Sequence, residues 1–284
     1  NDILNPDRIV IGEHDKKSGD TLEKIYQSFK CQKIRCDIKA AEIIKYASNS
    51  LLATKISFAN EFSRICEKLN VDVYEVMEGV GLDFRINPQF LRAGVGFGGS
   101  CFPKDLKAII ALSEKMGVNT PILKSVMKTN EIQPEHFIDL IIEAIGQIKN
   151  KKIAFLGLSF KPDTDDVRET RALPIINHLY NKGAKIKAYD PQAIKNFQQI
   201  TDIPIEYYDS WEQALQDSDC AVIQTEWKEV KEIKAEDFER LLKTPIVIDG
   251  RRTYDANLFI SKGIEYYGIG WKNINLVKKN ILQK

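Results

Sequence analysis

Arg92-Ala93-Gly94-Val95-Gly96-Phe97-Gly98-Gly99-Ser100-Cys101-Phe102-Pro103-Lys104-Asp105 is the stretch on which the fold turns. Gly94, Gly96 and Gly99 stand in the G-x-G-x-x-G spacing of a dinucleotide fingerprint, and Glu114 follows about where a ribose-binding acid would stand. That fingerprint needs a strand before it and a βαβ unit around it. Here the sequence on both sides has helical periodicity and Glu114 falls in mid-helix, so the match is one of spacing alone. The glycines let backbone N–H groups crowd around a ligand instead. The middle of the chain is read as helical, and a parallel sheet has to be sought elsewhere.

Upstream, Ala41, Ile44, Ser48, Leu51, Leu52, Ile56, Ala59, Phe62 and Cys66 follow one broad stripe with a 3.6-residue period. The run from Asp37 to about Asn70 holds neither Pro nor Gly, so it predicts one helix longer than the globular norm and suited to a domain bridge or a dimer seam. Further helices are expected over Asp72–Glu78, Lys104–Met116 and Pro121 to about Gly146. Before the long helix, Arg8–Gly12 reads as a strand and Asp20–Phe29 as an amphipathic helix, too little to bury a core. Downstream of Lys152 the texture changes. Apolar runs at 153–157, 185–189, 220–224, 245–249 and 264–268 alternate with helical segments at 172–181, 210–217 and 235–242, the signature of a doubly wound parallel sheet. The fold class is therefore α/β: an all-helical central dimerisation region followed by a Rossmann-like C-terminal domain. The expected divisions are 1–35, 36–132 and 133–284.

Composition narrows the function classes. The 284 residues carry 41 Lys+Arg against 40 Asp+Glu, a net charge of +1 that argues against bulk nucleic-acid binding. No apolar run approaches a membrane span and no secretory signal is visible at Asn1–Pro6. Five scattered cysteines read as reduced thiols, hence a cytoplasmic protein. The three histidines (14, 136, 178) are isolated, so no metal is expected.

Three groups of residues carry chemistry. Cys101 stands at the start of a helix whose first turn holds Pro103 and Lys104; the helix N-terminus and the ammonium both favour thiolate, which makes Cys101 the candidate nucleophile. Asp105, one turn on, is a candidate to handle a proton or water. Lys45 and Asn49 share one face of the long helix, where a lysine in an apolar stretch calls for an anionic or polar pocket. The loop Gly157–Glu169 leaves the first strand of the sheet, and ligands of open α/β sheets bind beyond the strands' carboxyl ends. Lys161 and Arg168 there, with Arg251-Arg252 after a later strand, suit phosphate.

These residues resemble the UDP-glucose/GDP-mannose dehydrogenase family. The resemblance rests on Gly96-Phe97-Gly98-Gly99-Ser100-Cys101-Phe102-Pro103-Lys104-Asp105, and on Lys45-Tyr46-Ala47-Ser48-Asn49 and Phe160-Lys161-Pro162-Asp163-Thr164. It extends to Asp166-Val167-Arg168-Glu169, Tyr189-Asp190-Pro191 and Asp249-Gly250-Arg251-Arg252, in family order. The Gly-Ser-Cys-Phe-Pro-Lys-Asp run is similar to the branch that acts on UDP-glucose. The family's N-terminal NAD-binding domain lies largely outside this sequence, and residues 1–35 are expected to be its end.

The resemblance implies an NAD-dependent, four-electron oxidation of UDP-glucose to UDP-glucuronate through a thiohemiacetal and a thioester on Cys101. Lys45 and Asn49 would stabilise charge on the C6 oxygen, and Asp105 would activate water. Arg92 and the backbone of Gly94, Val95, Gly96, Phe97 and Gly98 would line the sugar diphosphate, with Phe160, Lys161 and Arg251 holding it from the last domain. Arg85 would reach the substrate of the partner in a homodimer, and Lys104 and Arg168 would touch NAD. The alternatives are a GDP-mannose dehydrogenase and a non-catalytic nucleotide-sugar-binding dimerisation fragment.

Overall fold

A computed structural model describes residues 4–271; the ends of the expected outer divisions, residues 1–3 and 272–284, lie outside the described residues. The chain divides into two compact units, Asn1–Leu52 and Ala53–Lys284.

In the first unit, β1 (Arg8–Glu13) and β2 (Gln32–Asp37) pair in parallel around α1 (Lys16–Ile25). The helix starts four residues earlier than its apolar pattern suggests. The reason is a cap: the Asp15 carboxylate accepts from the Ser18 N–H at 2.9 Å. β2 has no counterpart in the sequence reading. Its charges are tied down by the Arg35 guanidinium, which lies 2.7 Å from Glu13, 2.5 Å from Asp20 and 3.0 Å from Glu23.

The long helix α2 (Ile38–Leu69) carries the chain across the division between the units. Its 32 residues bear out the uninterrupted periodicity of the sequence. Of the expected apolar stripe Leu51 is turned outward, and Phe58, Ile65 and Leu69, apolar residues outside that stripe, are exposed as well. Among the described residues no helix is long and apolar enough to cross a membrane.

The second unit continues with α3 (Val73–Gly81), α4 (Phe102–Lys115) and α5 (Pro121–Ile145). The division expected after residue 132 falls inside α5. Six strands follow: β3 (Lys152–Leu156), β4 (Lys185–Tyr189), β5 (Glu206–Tyr208), β6 (Cys220–Ile223), β7 (Ile246–Asp249) and β8 (Glu265–Gly268). Between them run α6 (Ala172–Asn181), α7 (Ile194–Gln198), α8 (Trp211–Leu215), α9 (Lys228–Lys231), α10 (Ala235–Leu241) and α11 (Ala256–Ser261). All strands are parallel, in the order β5-β4-β3-β6-β7-β8. This is the doubly wound arrangement expected, and its order reverses between β3 and β6.

The alternation of the buried strands supplies two cores. Ile153, Phe155, Val222 and Ile248 face one side, where α5 brings Phe137 and Ile141 and α6 brings Ile175, Ile176 and Leu179. Ala154, Leu156, Ile223 and Val247 face the other, against Trp227, Phe238 and Phe259. Fully burying such a side chain is worth about 1.5–3 kcal/mol, so both faces hold the sheet.

Candidate functional site

Ligands of this strand order bind in the crevice where the order reverses, beyond the carboxyl ends of the strands. Two buried carboxylates shape the loops there. Asp190, at the end of β4, accepts from the Leu158 N–H (2.7 Å), the Ser159 N–H (3.1 Å) and the Trp227 indole N–H (3.0 Å), which fixes the turn leading from β3 to Phe160 and Lys161. Asp249, at the end of β7, accepts from the N–H groups of Arg251 (2.9 Å) and Thr253 (2.6 Å) and from the Tyr266 hydroxyl (2.9 Å). Burial raises the Asp249 pKa above the ordinary carboxylate value, and these donors oppose the rise.

A cavity of about 690 Å³ opens at this crevice. Five aromatic side chains contribute to its wall: Tyr74, Phe90, Phe97, Phe102 and Phe160. Its cations are Arg92, Lys161 and Arg251, and its acids are Glu78 and Glu226. Arg251 is held in place by backbone: its Nε donates to the Gln224 carbonyl at 2.9 Å and its Nη2 to the Phe160 carbonyl at 3.1 Å, with the Glu226 carboxylate 3.4 Å from Nε.

The glycine loop enters this wall through Gly96, Phe97 and Gly98. Gly96 has φ +100°, and a Cβ there would sit 2.7 Å from the Asn130 Oδ1. Gly99 has φ +79°, and a Cβ there would strike the Phe160 ring at 2.6 Å. Both positions therefore need glycine for close approach as well as for backbone conformation. Gly94 and Val95 do not line the cavity. The Gly94 N–H and carbonyl are engaged by the Asn60 and Gln133 side chains, and Val95 is buried in the core with Phe137.

Beyond the glycines, Cys101 is exposed at the N-cap of α4, with Pro103 in the first turn. Its Sγ lies 3.8 Å from the Ser100 Oγ, and its carbonyl accepts from the Asp105 N–H at 2.9 Å. The Asp105 side chain is buried, with the Lys104 ammonium 3.9 Å from its Oδ1. Of the two chain neighbours of Cys101, Phe102 lines the first cavity and Ser100 a second cavity of about 580 Å³. It is lined by Gly99, Ser100, Lys104, Lys107, Arg168 and Glu169. Lys161 and Arg168, expected to act together, thus serve different cavities. Arg168 is forked onto Asp166 at 2.7 and 2.9 Å, and this bond keeps the Asp166 pKa below the ordinary carboxylate value.

Seven expected contact residues meet at the first cavity: Arg92, Gly96, Phe97, Gly98, Phe160, Lys161 and Arg251. Lys104 and Arg168 meet at the second. Arg85 lines neither; it is exposed and pairs with its neighbour Asp83. Lys45 and Asn49 lie one turn apart on α2 in the first unit, with the exposed Lys45 ammonium 4.9 Å over the Tyr46 ring. The burial cost that its apolar setting suggests does not arise. Tyr74, Glu226 and the buried amides under the loop have no place in the sequence reading.

Two family models match the chain: the UDP-glucose/GDP-mannose dehydrogenase family central domain over residues 39–132, and the same family's UDP binding domain over residues 154–256. The Bacillus subtilis (strain 168) UDP-glucose 6-dehydrogenases YwqF and TuaD are 42% and 43% identical over 96% and 95% of this chain. The chain spans 62% and 58% of their lengths. Among solved structures, a UDP-glucose dehydrogenase from the hyperthermophilic archaeon Pyrobaculum islandicum superposes with a TM-score of 0.85 at 36% identity, over 95% of this chain and 60% of that one.

Proposed function

Because this chain belongs to the UDP-glucose/GDP-mannose dehydrogenase family, we propose that it is the substrate-holding, thiol-bearing portion of an enzyme that oxidises UDP-glucose to UDP-glucuronate with two NAD+. The observation that carries this reading is the cationic, aromatic cavity at the sheet's reversal point, walled by a glycine loop that runs into the exposed Cys101.

Arg251, Lys161 and Arg92 bind the diphosphate as cations around one cavity, and the aromatic wall covers the base and ribose. Once the C6 alcohol is an aldehyde, the Cys101 thiolate adds to its carbon and the carbonyl oxygen takes a proton from water, giving a thiohemiacetal. Loss of a second hydride and of that proton leaves a thioester. Water attacks the thioester carbon, the C–S bond breaks, and the carboxylate, the free thiol and one proton released to solvent result. NAD+, when bound, supplies the acceptor for both hydrides. Lys104, Lys107 and Arg168 line the second cavity with Ser100 and Glu169, which pairs with Lys107 at 3.0 Å; the excess of cations fits the anionic portion of such a cofactor. Asp105 orients or deprotonates the hydrolytic water, and Lys45 and Asn49 stabilise charge on the C6 oxygen.

Residues 1–35 then end the NAD-binding domain, 36–132 form the central dimerisation domain and 133–284 the UDP-sugar domain. The exposed Leu51, Phe58, Ile65 and Leu69 on α2 support a homodimer, in which Arg85 reaches the partner's substrate. The same reading carries a cytoplasmic location.

The test is turnover by the protein as its gene encodes it. UDP-glucose should yield two NADH per UDP-glucuronate, and Cys101→Ser should stop before the acid. Turnover of GDP-mannose with UDP-glucose ignored would move the substrate assignment; full uronate production by the serine variant would remove Cys101 from the mechanism.

A further inference from the structure

We infer that Asn130, seconded by Gln133 and Asn60, is a positioning residue for the cavity: these three buried amides set the peptide planes of the glycine loop. The inference rests on the reading of that cavity as a nucleotide-sugar site.

The loop from Arg92 to Cys101 belongs to no helix or strand, yet most of it is buried. Buried backbone groups must find partners, and an irregular segment has no ladder to supply them. Here side-chain amides take the place of a neighbouring strand. The Asn130 Oδ1 accepts from the Phe97 N–H at 2.7 Å, and its Nδ2 donates to the Phe97 carbonyl at 3.0 Å. The same carbonyl accepts from the Arg171 Nε at 2.8 Å. At Gly94 the N–H donates to the Asn60 Oδ1 and the carbonyl accepts from the Gln133 Nε2, both at 2.8 Å. The Gln133 Oε1 in turn accepts from the Arg64 Nη1 at 2.7 Å, which fixes the orientation of that amide. All three amide residues are 0% exposed, where a polar side chain is costly unless it is bonded.

Two further details tie the loop to Asn130. Gly96 must be glycine because the Asn130 carboxamide lies beneath it, as its 2.7 Å clearance shows. Pro134 stands inside α5, four residues after Asn130, and has no N–H to give to the Asn130 carbonyl. The helix ladder is therefore open at the residue that bridges Phe97.

The consequence is a division of labour along the loop. Gly94 and Phe97 have both backbone groups engaged by the protein. The N–H groups of Gly96 and Gly98, at the cavity wall, make no hydrogen bond among the described residues. Those are the donors left for substrate, and their direction is set by the planes that Asn130 and Gln133 hold on either side.

The experiment compares the protein as encoded with its Asn130→Ala and Gln133→Glu variants. Asn130→Ala strips Phe97 of its N–H acceptor while Arg171 still meets the carbonyl. Gln133→Glu replaces the donor to Gly94 by an oxygen that repels its carbonyl, and keeps an oxygen for Arg64, whose guanidinium balances the added charge. A buried group left unmade corresponds to roughly 5- to 150-fold in an equilibrium. The KM for UDP-glucose should therefore rise about 10-fold or more in Asn130→Ala and less in Gln133→Glu, with kcat changed by a smaller factor in each. Hydrogen exchange at the Phe97 amide should be slow in the parent and fast in Asn130→Ala. Folded variants with a lower melting temperature but a KM within about twofold of the parent would reduce the amides to structural filler and overturn the inference. If Asn130→Ala does not fold, Gln133→Glu decides alone. A parent protein that binds no UDP-glucose would sink the reading of the site, and this inference with it. A parent that binds it no better than both variants do would sink only the positioning role.

Discussion

Replacing Arg252 by methionine should lower the stability of the second unit by about 3 kcal/mol, at the low end of what removing one partner of a buried ion pair costs. The guanidinium lies between two rings, 4.8 Å from the centroids of Tyr74 and of Trp271, and donates to both oxygens of Asp72 at 2.9 Å. Neither side chain of the pair exceeds 9% exposure, so solvent screens the interaction little. Asp72 also caps α3, its carboxylate accepting from the Tyr74 N–H at 2.9 Å. Methionine restores contact with the rings but leaves a buried carboxylate without its cation. For a unit of this size each kcal/mol moves the melting temperature by roughly 2–4 °C, so the melt should fall by about 6–12 °C. Asp72→Asn can keep the cap through its one oxygen, but loses the charge and the second acceptor for Arg252. A cycle of the two single variants and the double variant, followed by thermal melting, should give a coupling of about 2 kcal/mol or more. A loss below about 1 kcal/mol in Arg252→Met, or strict additivity in the cycle, would show that the reasoning about this buried pair is wrong.

Alkylation of the native protein should label Cys101 first, since its thiol is exposed, and should leave Cys66 and Cys220 untouched. Burial raises both of those thiols' pKa values, so at any pH below the shifted values they hold less thiolate than a free cysteine, and only unfolding should release them; peptide mass spectrometry reads the order. Arg251→Lys should raise the KM for UDP-glucose about 10-fold or more, because an ammonium cannot keep both carbonyl contacts at Gln224 and Phe160 and still reach phosphate; steady-state kinetics checks it. Phe58→Glu with Ile65→Glu on α2 should turn a dimer into a monomer in sedimentation velocity, and an unchanged sedimentation coefficient would count against that helix as the seam.

The long helix and the buried strands were legible because their signals are local: α2 is free of Pro and Gly, and Ile153–Leu156 is apolar on both faces. β2 was not, since Lys33, Arg35 and Asp37 make it look like a charged linker until Arg35 finds its three carboxylates. β5 is a three-residue strand and gives no period to read. At the site, the cysteine loop and the strand-end cations stood out in sequence. Glu226 and Tyr74 did not, because each reaches the cavity from an unrelated segment. Asn130 and Gln133 did leave a trace: two amides at i and i+3 on the face of α5 that also carries Phe137 and Ile141. Polar residues on a core-facing stripe call for partners, and theirs were backbone groups more than thirty residues away.

The cavity wall draws on Ile56, the stretch from Tyr74 to Phe102, Phe160-Lys161, Glu226 and Arg251. No short contiguous fragment contains it. The reversal between β3 and β6 also means that β6 pairs with β3 across the whole intervening stretch that holds β4 and β5. Contacts of such sequence separation cost loop-closure entropy before they return any energy, and parallel pairing of this kind is slow to form. Affinity for ligand is thus among the last properties this chain acquires as it folds. During renaturation it should lag behind the recovery of helical signal from α2, whose backbone ladder is local.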